Sequence, residues 1–142
     1  PVGRLDKDSE GLVILTDDGK LQNKISHPKY NKTKTYVVQV EGEINDTATY
    51  ALEKGVKLKD GITKPATVKK IEEPSWLWTR SPPIRVRKNI PTSWIEISII
   101  EGKNRQVRRM TASVGFPTLR LIRTSIDQWN LGNLASGSYV SL

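Results

Sequence analysis

Short apolar runs rich in β-branched residues recur at Leu12 to Thr16, Thr35 to Val40, Ala66 to Ile71, Trp94 to Ile100, Leu119 to Arg123 and Tyr139 to Leu142. Most are bounded by Gly, Pro or Asp, and they predict strands. Helical signals interrupt them. Asn45-Asp46 offers an N-cap ahead of Thr47 to Lys54, with Gly55 at the stop. From Asn104 to Val114, Val107, Met110 and Val114 fall at helical spacing before Gly115. Leu21 to Ile25 predicts a short helix after the turn at Gly19. Many strands, few helices and no regular βαβ alternation predict an α+β fold on a mixed, largely antiparallel sheet. There is no internal repeat.

The stretch from Pro74 to Pro91 breaks this pattern. It holds Trp76, Trp78, Arg80, Pro82, Pro83, Arg85, Arg87 and Lys88, too proline-rich for a central strand and too aromatic for an inert linker. It predicts a structured surface loop. Aromatics between arginines suit stacking on unpaired bases and pairing with phosphates. Two tryptophans closing a satellite core would serve equally well.

Composition narrows the classes. A chain of 142 residues makes one ordinary domain with a sizeable core. The absence of cysteine excludes disulfides, zinc ribbons and thiol catalysis. The single histidine, His27, lies before Pro28 in a polar loop, so neither a metal site nor a Ser-His-Asp site is supported. No apolar stretch approaches a membrane span, and a soluble, cytoplasmic protein without membrane contact is expected. Lysine and arginine total 23 against 15 acids, a net charge of +8 that favours a polyanionic partner. The arginines cluster at 80–87, 105–109 and 120–123, which favours nucleic acid.

Candidate chemistry begins at Gly3-Arg4-Leu5-Asp6-Lys7-Asp8-Ser9-Glu10-Gly11-Leu12. A carboxylate between a basic residue and a glycine turn, ahead of an apolar strand, can be a nucleophile or a capped polar turn. Glycines 3 and 11 let the backbone bend and approach a ligand, and Arg4 can hold an anion. Asp6, Asp8, Glu10, Gly11 and Asp17 fall near the positions of a calcium loop, but an EF-hand needs flanking helices. Only five residues precede Asp6, and Asp17-Asp18-Gly19 reads as a turn. On the helix from Asn104, a 100° step sets Arg105, Arg108 and Arg109 opposite the apolar face, and its N-terminus favours phosphate. Strand alternation places Tyr36 with Val38 and Val40, where a core role is the default unless that face meets the Asp6 loop.

Taken together, these stretches resemble the RsuA-type ribosomal RNA pseudouridine synthases. The resemblance rests on Gly3-Arg4-Leu5-Asp6, Ser9-Glu10-Gly11-Leu12, Thr16-Asp17-Asp18-Gly19, Lys34-Thr35-Tyr36-Val37-Val38, Glu101 to Met110, and Gly115-Phe116-Pro117 leading into Arg120-Leu121-Ile122-Arg123. Order and spacing agree across nearly the whole chain. Ser81 to Arg85 and Ile90 to Trp94 are most similar to the RluE-like branch, which acts on large-subunit RNA.

The resemblance implies a bifurcated sheet flanked by helices, with residues 1–142 as a catalytic domain lacking its opening strand. It makes Asp6 the catalytic aspartate, Tyr36 the tyrosine that stacks on the target base, and Arg108 the arginine paired with Asp6. Arg105, Arg109, Arg120 and Arg123 become RNA-contact or structural candidates, and Arg4 a support for the aspartate loop. Arg80, Arg85, Arg87, Lys103 and Asn104 join them as RNA-contact candidates. The implied reaction is isomerisation of uridine in ribosomal RNA by a monomer without metal or small-molecule cofactor. A non-catalytic RNA-binding or ribosome-assembly module is the rival, and a nucleoside hydrolase with Asp8 as second carboxylate stands behind it.

Overall fold

The computed structural model describes residues 4–27, 30–80, 82–84, 89–132, 134–135, 137–139 and 141. Its strands are β1 (Glu10–Gly11), β2 (Lys34–Glu41), β3 (Lys57–Leu58), β4 (Gly61–Ile62), β5 (Thr67–Ile71), β6 (Thr92–Ile99), β7 (Thr118–Ile126) and β8 (Trp129–Asn130). The helices are α1 (Gly19–Ser26), α2 (Asp46–Lys54) and α3 (Gln106–Ser113).

The main sheet runs β1-β7-β2-β6-β5, while β3 and β4 form a separate hairpin. Its neighbours are antiparallel except β1 and β7. Both β1 and β8 lie along β7, opposite Ile122–Arg123 and Ser125–Ile126, so the sheet forks there. The α+β class and mixed sheet expected from the patterning are present.

Alternation along β2 sends Val38 and Val40 into a core with Ile95, Ile97 and Ile99 of β6. Ala48 and Leu52 of α2 and Val107 and Met110 of α3 close that core. The side chains of Asn45 and Asp18 cap α2 and α1 through backbone N–H groups, as the sequence signals require. A second cluster joins Leu12, Ile14, Ile25 and Ile126.

Some expectations need correction. The strand placed at Leu12 to Thr16 is the short β1 instead. The ladder is interrupted after Gly11, where the Leu12 carbonyl accepts from the Arg123 guanidinium at 3.0 and 2.8 Å. Leu12 and Ile14 are still buried, with Val13 and Leu15 exposed, and pairing beyond Gly11 is reduced to the Leu12 amide on the Arg123 carbonyl and an isolated bridge at Ile14. No strand forms around Tyr139, which is 88% exposed and so has no sheet to pack against; Val140 and Leu142 lie outside the described residues. The third helix starts at Gln106 rather than Asn104, because Arg105 takes a left-handed conformation at φ 50.

After β5, at one edge of the sheet, residues 74–80 reach β1 at the other edge, where Trp78 meets Glu10. Pro74 and Trp76 share a groove with Thr35, Val37 and Glu96, so this strap crosses the face opposite Tyr36. Within the described part of the loop, Trp78 is half-buried against Glu10 and Arg120 while Trp76 is 48% exposed, and neither joins a buried core cluster among the described residues.

Candidate active site

The loop from Arg4 leads into the two-residue strand β1, and side-chain partners shape it. The Ser9 amide donates to the Asp6 carbonyl at 3.0 Å and closes a turn. Asp8 receives Arg105 Nη1 and Nη2 at 3.0 and 3.0 Å, one on each oxygen. Arg108 Nη2 donates to the Asp8 carbonyl at 3.0 Å and to Ser9 Oγ at 3.2 Å. Helix α3 and the turn before it therefore grip the loop at Asp8 and Ser9.

Among the described ion pairs Asp6 is joined to Arg105 and not to Arg108, the partner implied by the family resemblance, although its charge still acts on the Arg108 guanidinium. Arg105 Nη1 is the guanidinium nitrogen near Asp6, 3.7 Å from Oδ2, while Arg108 Nη1 is 3.7 Å from Asp8 Oδ2. The left-handed turn at Arg105 explains the exchange, since it places this side chain ahead of the helix and level with both carboxylates. Arg108 Nε is buried with no hydrogen-bond acceptor among the described residues.

Hydrogen bonding from Arg105 holds the Asp8 carboxyl at about 2; partial burial opposes this and the Arg108 charge adds to it. Asp8 is thus ionised throughout the neutral range and has no proton to donate. That removes it as the acid of a nucleoside hydrolase.

Asp6 and Tyr36 line one cleft of about 990 Å³, together with Arg4, Lys34, Lys103 and Arg105. The face carrying Tyr36 does meet the Asp6 loop. Burial raises the Tyr36 phenol above its ordinary value, Arg123 opposes the shift by charge and hydrogen bond, and Asp6 adds to it. The phenol therefore stays protonated at neutral pH. Burial lowers Lys34, and the Arg123 charge contributes.

The remaining sequence candidates divide by environment. Arg4 is exposed at the cleft, and Asn104 and Lys103 lie on its rim. Arg109 pairs with Asp60 at 2.8 and 3.2 Å and so braces the β3–β4 hairpin. Arg120 and Arg123 are buried, at 6% and 2% exposure, with guanidinium groups bound to Glu10 and to the Leu12 carbonyl. Of the contact and structural roles open to these two, burial favours the structural one. Arg80 is held by Glu10 and by the Asp8 carbonyl. Arg85 and Arg87 lie outside the described residues. Gly11 bends at φ 108 as expected, and its close approach is to the Arg123 backbone.

Sequence reasoning missed Glu10 and the loop-holding role of Asp8. The one available signal for Glu10 was a carboxylate directly before a strand-entry glycine. The distant Arg120 and Trp78 give no local sign of it.

The model of the family described as RNA pseudouridylate synthase matches residues 1–113. The chain belongs to that family. Among its relatives, the ribosomal large subunit pseudouridine synthase E of Xanthomonas campestris pv. campestris is 54% identical over 137 residues, covering 96% of this chain and 73% of the relative. The protein of that name from Vibrio parahaemolyticus serotype O3:K6 is 56% identical over 137 residues, covering 96% of this chain and 57% of its own length. A solved pseudouridylate synthase superimposes with a TM-score of 0.70 at 30% identity, covering 91% of this chain and 49% of that one. The chain thus falls with the RluE-like relatives that its loop suggested. Among the described residues no helix is long and apolar enough to cross a membrane.

Proposed function

We propose that this pseudouridylate synthase isomerises a uridine of large-subunit ribosomal RNA to pseudouridine, with Asp6 as the catalytic carboxylate. One observation carries the reading: Asp6 and Tyr36 face a single cleft edged by Arg4, Lys34, Lys103 and Arg105. Cations at the rim suit the phosphates flanking an extruded nucleotide, and Tyr36 offers a ring on which its base can stack. The N1–C1′ bond breaks, and the Asp6 carboxylate meets the positive charge that develops at C1′. The freed uracil turns and bonds to C1′ through C5. The C5 proton then departs and N1 regains one, so the product is an isomer.

Arg105, near Asp6 and paired with Asp8, holds the loop in place. Tyr36, protonated at neutral pH, stands where the turning base must pass. Residues 1–142 act as the catalytic domain.

Single-turnover conversion of ribosomal RNA tests the reading. Asp6→Asn keeps volume and hydrogen bonding but loses charge, and should abolish conversion while retaining fold and most RNA affinity. Near-normal conversion by Asp6→Asn would remove the mechanism. RNA binding by the native chain without any conversion would favour the assembly-module rival.

A further inference from the structure

We propose that Glu10 is a positioning residue whose carboxylate clasps the strap of residues 74–80 and thereby holds the Asp6 loop from behind the cleft. Its expected effect on rate rests on the isomerase reading; its expected effect on loop order rests on geometry alone.

Groups from distant segments converge on this carboxylate. The Trp78 indole N–H donates to Oε1 at 2.8 Å. Arg120 donates from Nε to Oε2 at 2.8 Å and from Nη2 to Oε1 at 3.0 Å. Arg80 Nε stands 3.4 Å from Oε2. The side chains of Glu10, Arg120 and Arg80 are only 16%, 7% and 19% exposed. Arg120 also donates to the Trp78 carbonyl at 2.8 Å, with its guanidinium 5.7 Å from the indole centroid. Arg80 continues to the Asp8 carbonyl at 3.4 Å. Strap, Glu10 and Asp8 form one connected network.

The register of the sheet builds this clasp. Glu10 pairs with Ile122 on β7, and Arg120 lies two residues earlier on the same face of that strand. A buried Arg-Glu-Arg group gains little over apolar packing, because desolvation offsets the attraction. Its directional bonds do impose a geometry, and they impose it on the segment that carries Asp6. Among the described ion pairs Asp6 has only the 3.7 Å approach of Arg105. Its placement therefore follows from how the loop is held: at Asp8 by α3 on one side, at Glu10 by the strap on the other.

Two variants separate positioning from bulk stability. Trp78→Phe keeps an aromatic ring but deletes the indole donor and trims the contact with Arg120, and Glu10→Gln keeps the shape but leaves the two arginines without a counter-charge. Amide exchange should quicken at residues 6–12 and 74–80 in both, with β2 and β6 unchanged. On in vitro transcribed large-subunit RNA, the single-turnover rate should fall about 10-fold or more, as a slightly misplaced reacting group requires. RNA affinity should stay within about 2-fold of native, below the 10-fold that 1.4 kcal/mol would produce. Unchanged loop exchange in both variants would overturn the proposal, as would a rate loss matched by an equal loss of affinity. Failure of the native chain to convert any uridine would strike the isomerase reading, and the exchange measurement would then decide this one by itself.

Discussion

Asp8 and Arg105 form a two-point pair across 97 residues of chain, with each terminal guanidinium nitrogen 3.0 Å from one carboxylate oxygen. The pair lies two residues from Asp6, so the arginine that serves the loop also sets the charge beside the candidate catalytic carboxylate. A lysine would supply that charge but could not span both oxygens. Arg105→Lys should therefore slow single-turnover conversion roughly 10-fold, equivalent to about 1.4 kcal/mol of transition-state stabilisation, with little change in RNA affinity. Combining it with Asp8→Asn should add almost nothing, since either change alone breaks the pair. Additive losses would show that the two residues act separately.

The pH profile follows from the direction of each shift. Asp8 is lowered to about 2 in the folded loop, so its pairing contributes fully above the ordinary carboxylate value and fades only as pH falls through about 2. Tyr36 is raised, chiefly by burial, and keeps its proton to beyond the ordinary phenol value of about 10. Neither group titrates between about pH 5 and about pH 9. Asp8→Asn should depress the single-turnover rate by the same factor across that range. An acid limb that moves with the substitution would contradict the pairing.

Gly11 bends at φ 108, and a Cβ there would stand 2.2 Å from the Arg123 carbonyl oxygen. Neither the φ nor the neighbouring backbone can yield cheaply. Gly11→Ala should cost about 2 kcal/mol or more and lower the melting temperature by roughly 5 °C or more. Gly19 opens α1 with nothing within 4 Å of a would-be Cβ, and Gly19→Ala should leave the melt unchanged or raised. Equal melts for the two variants would refute the close-approach argument.

Periodicity marked β2, β5, β6 and β7 because these strands bury one or both faces, and their β-branched residues report that burial directly. It misplaced β1, which ends at Gly11; beyond it Leu12 and Ile14 alternate into the core with only a backbone bond from Leu12 and an isolated bridge at Ile14, because the Arg123 side chain takes the Leu12 carbonyl. The short strands β3, β4 and β8 left no pattern, since two residues cannot establish one. Asp6, Tyr36 and the arginine stripe were legible as residue types near glycine turns and on alternating faces. Their pairing was not, because Arg105 stands closer to Asp6 than Arg108 only through a left-handed backbone turn that no periodicity encodes.

Burial also changes which arginines should govern salt dependence. Arg80 is bound to Glu10 and to the Asp8 and Pro82 carbonyls, and Arg120 is buried. Arg4 and Lys103 line the open cleft. Replacing either cleft residue with alanine should reduce the slope of log affinity against log salt by about one, as one fewer condensed counterion is released. Arg80→Ala should leave that slope near native and lower the rate instead. Filter binding over a salt series separates the outcomes, and a flattened slope for Arg80→Ala would return that residue to the RNA surface.

Tyr36 ties the base-stacking ring to the frame of the loop. Arg123 shares a hydrogen bond with its phenol while donating to the Leu12 carbonyl at 2.8 Å. Arg123 thereby links the phenol electrostatically to the chain that leads out of the Asp6 segment. Phenylalanine keeps the ring and its stacking but removes the hydroxyl that could relay the C5 proton, passing on its own as it takes that one. Tyr36→Phe should preserve RNA affinity and slow conversion by about 100-fold, the lower range for a lost general acid–base group. Tyr36→Leu should lose affinity as well, since stacking goes with the ring. The decisive measurement uses RNA carrying deuterium at C5 of the target uridine. If the hydroxyl handles that proton, its removal makes proton departure limiting, and the isotope effect should rise from near unity in the native enzyme to a clear primary value in Tyr36→Phe. A fully active phenylalanine variant without an isotope effect would reduce Tyr36 to a stacking surface and move the proton to another group in the cleft.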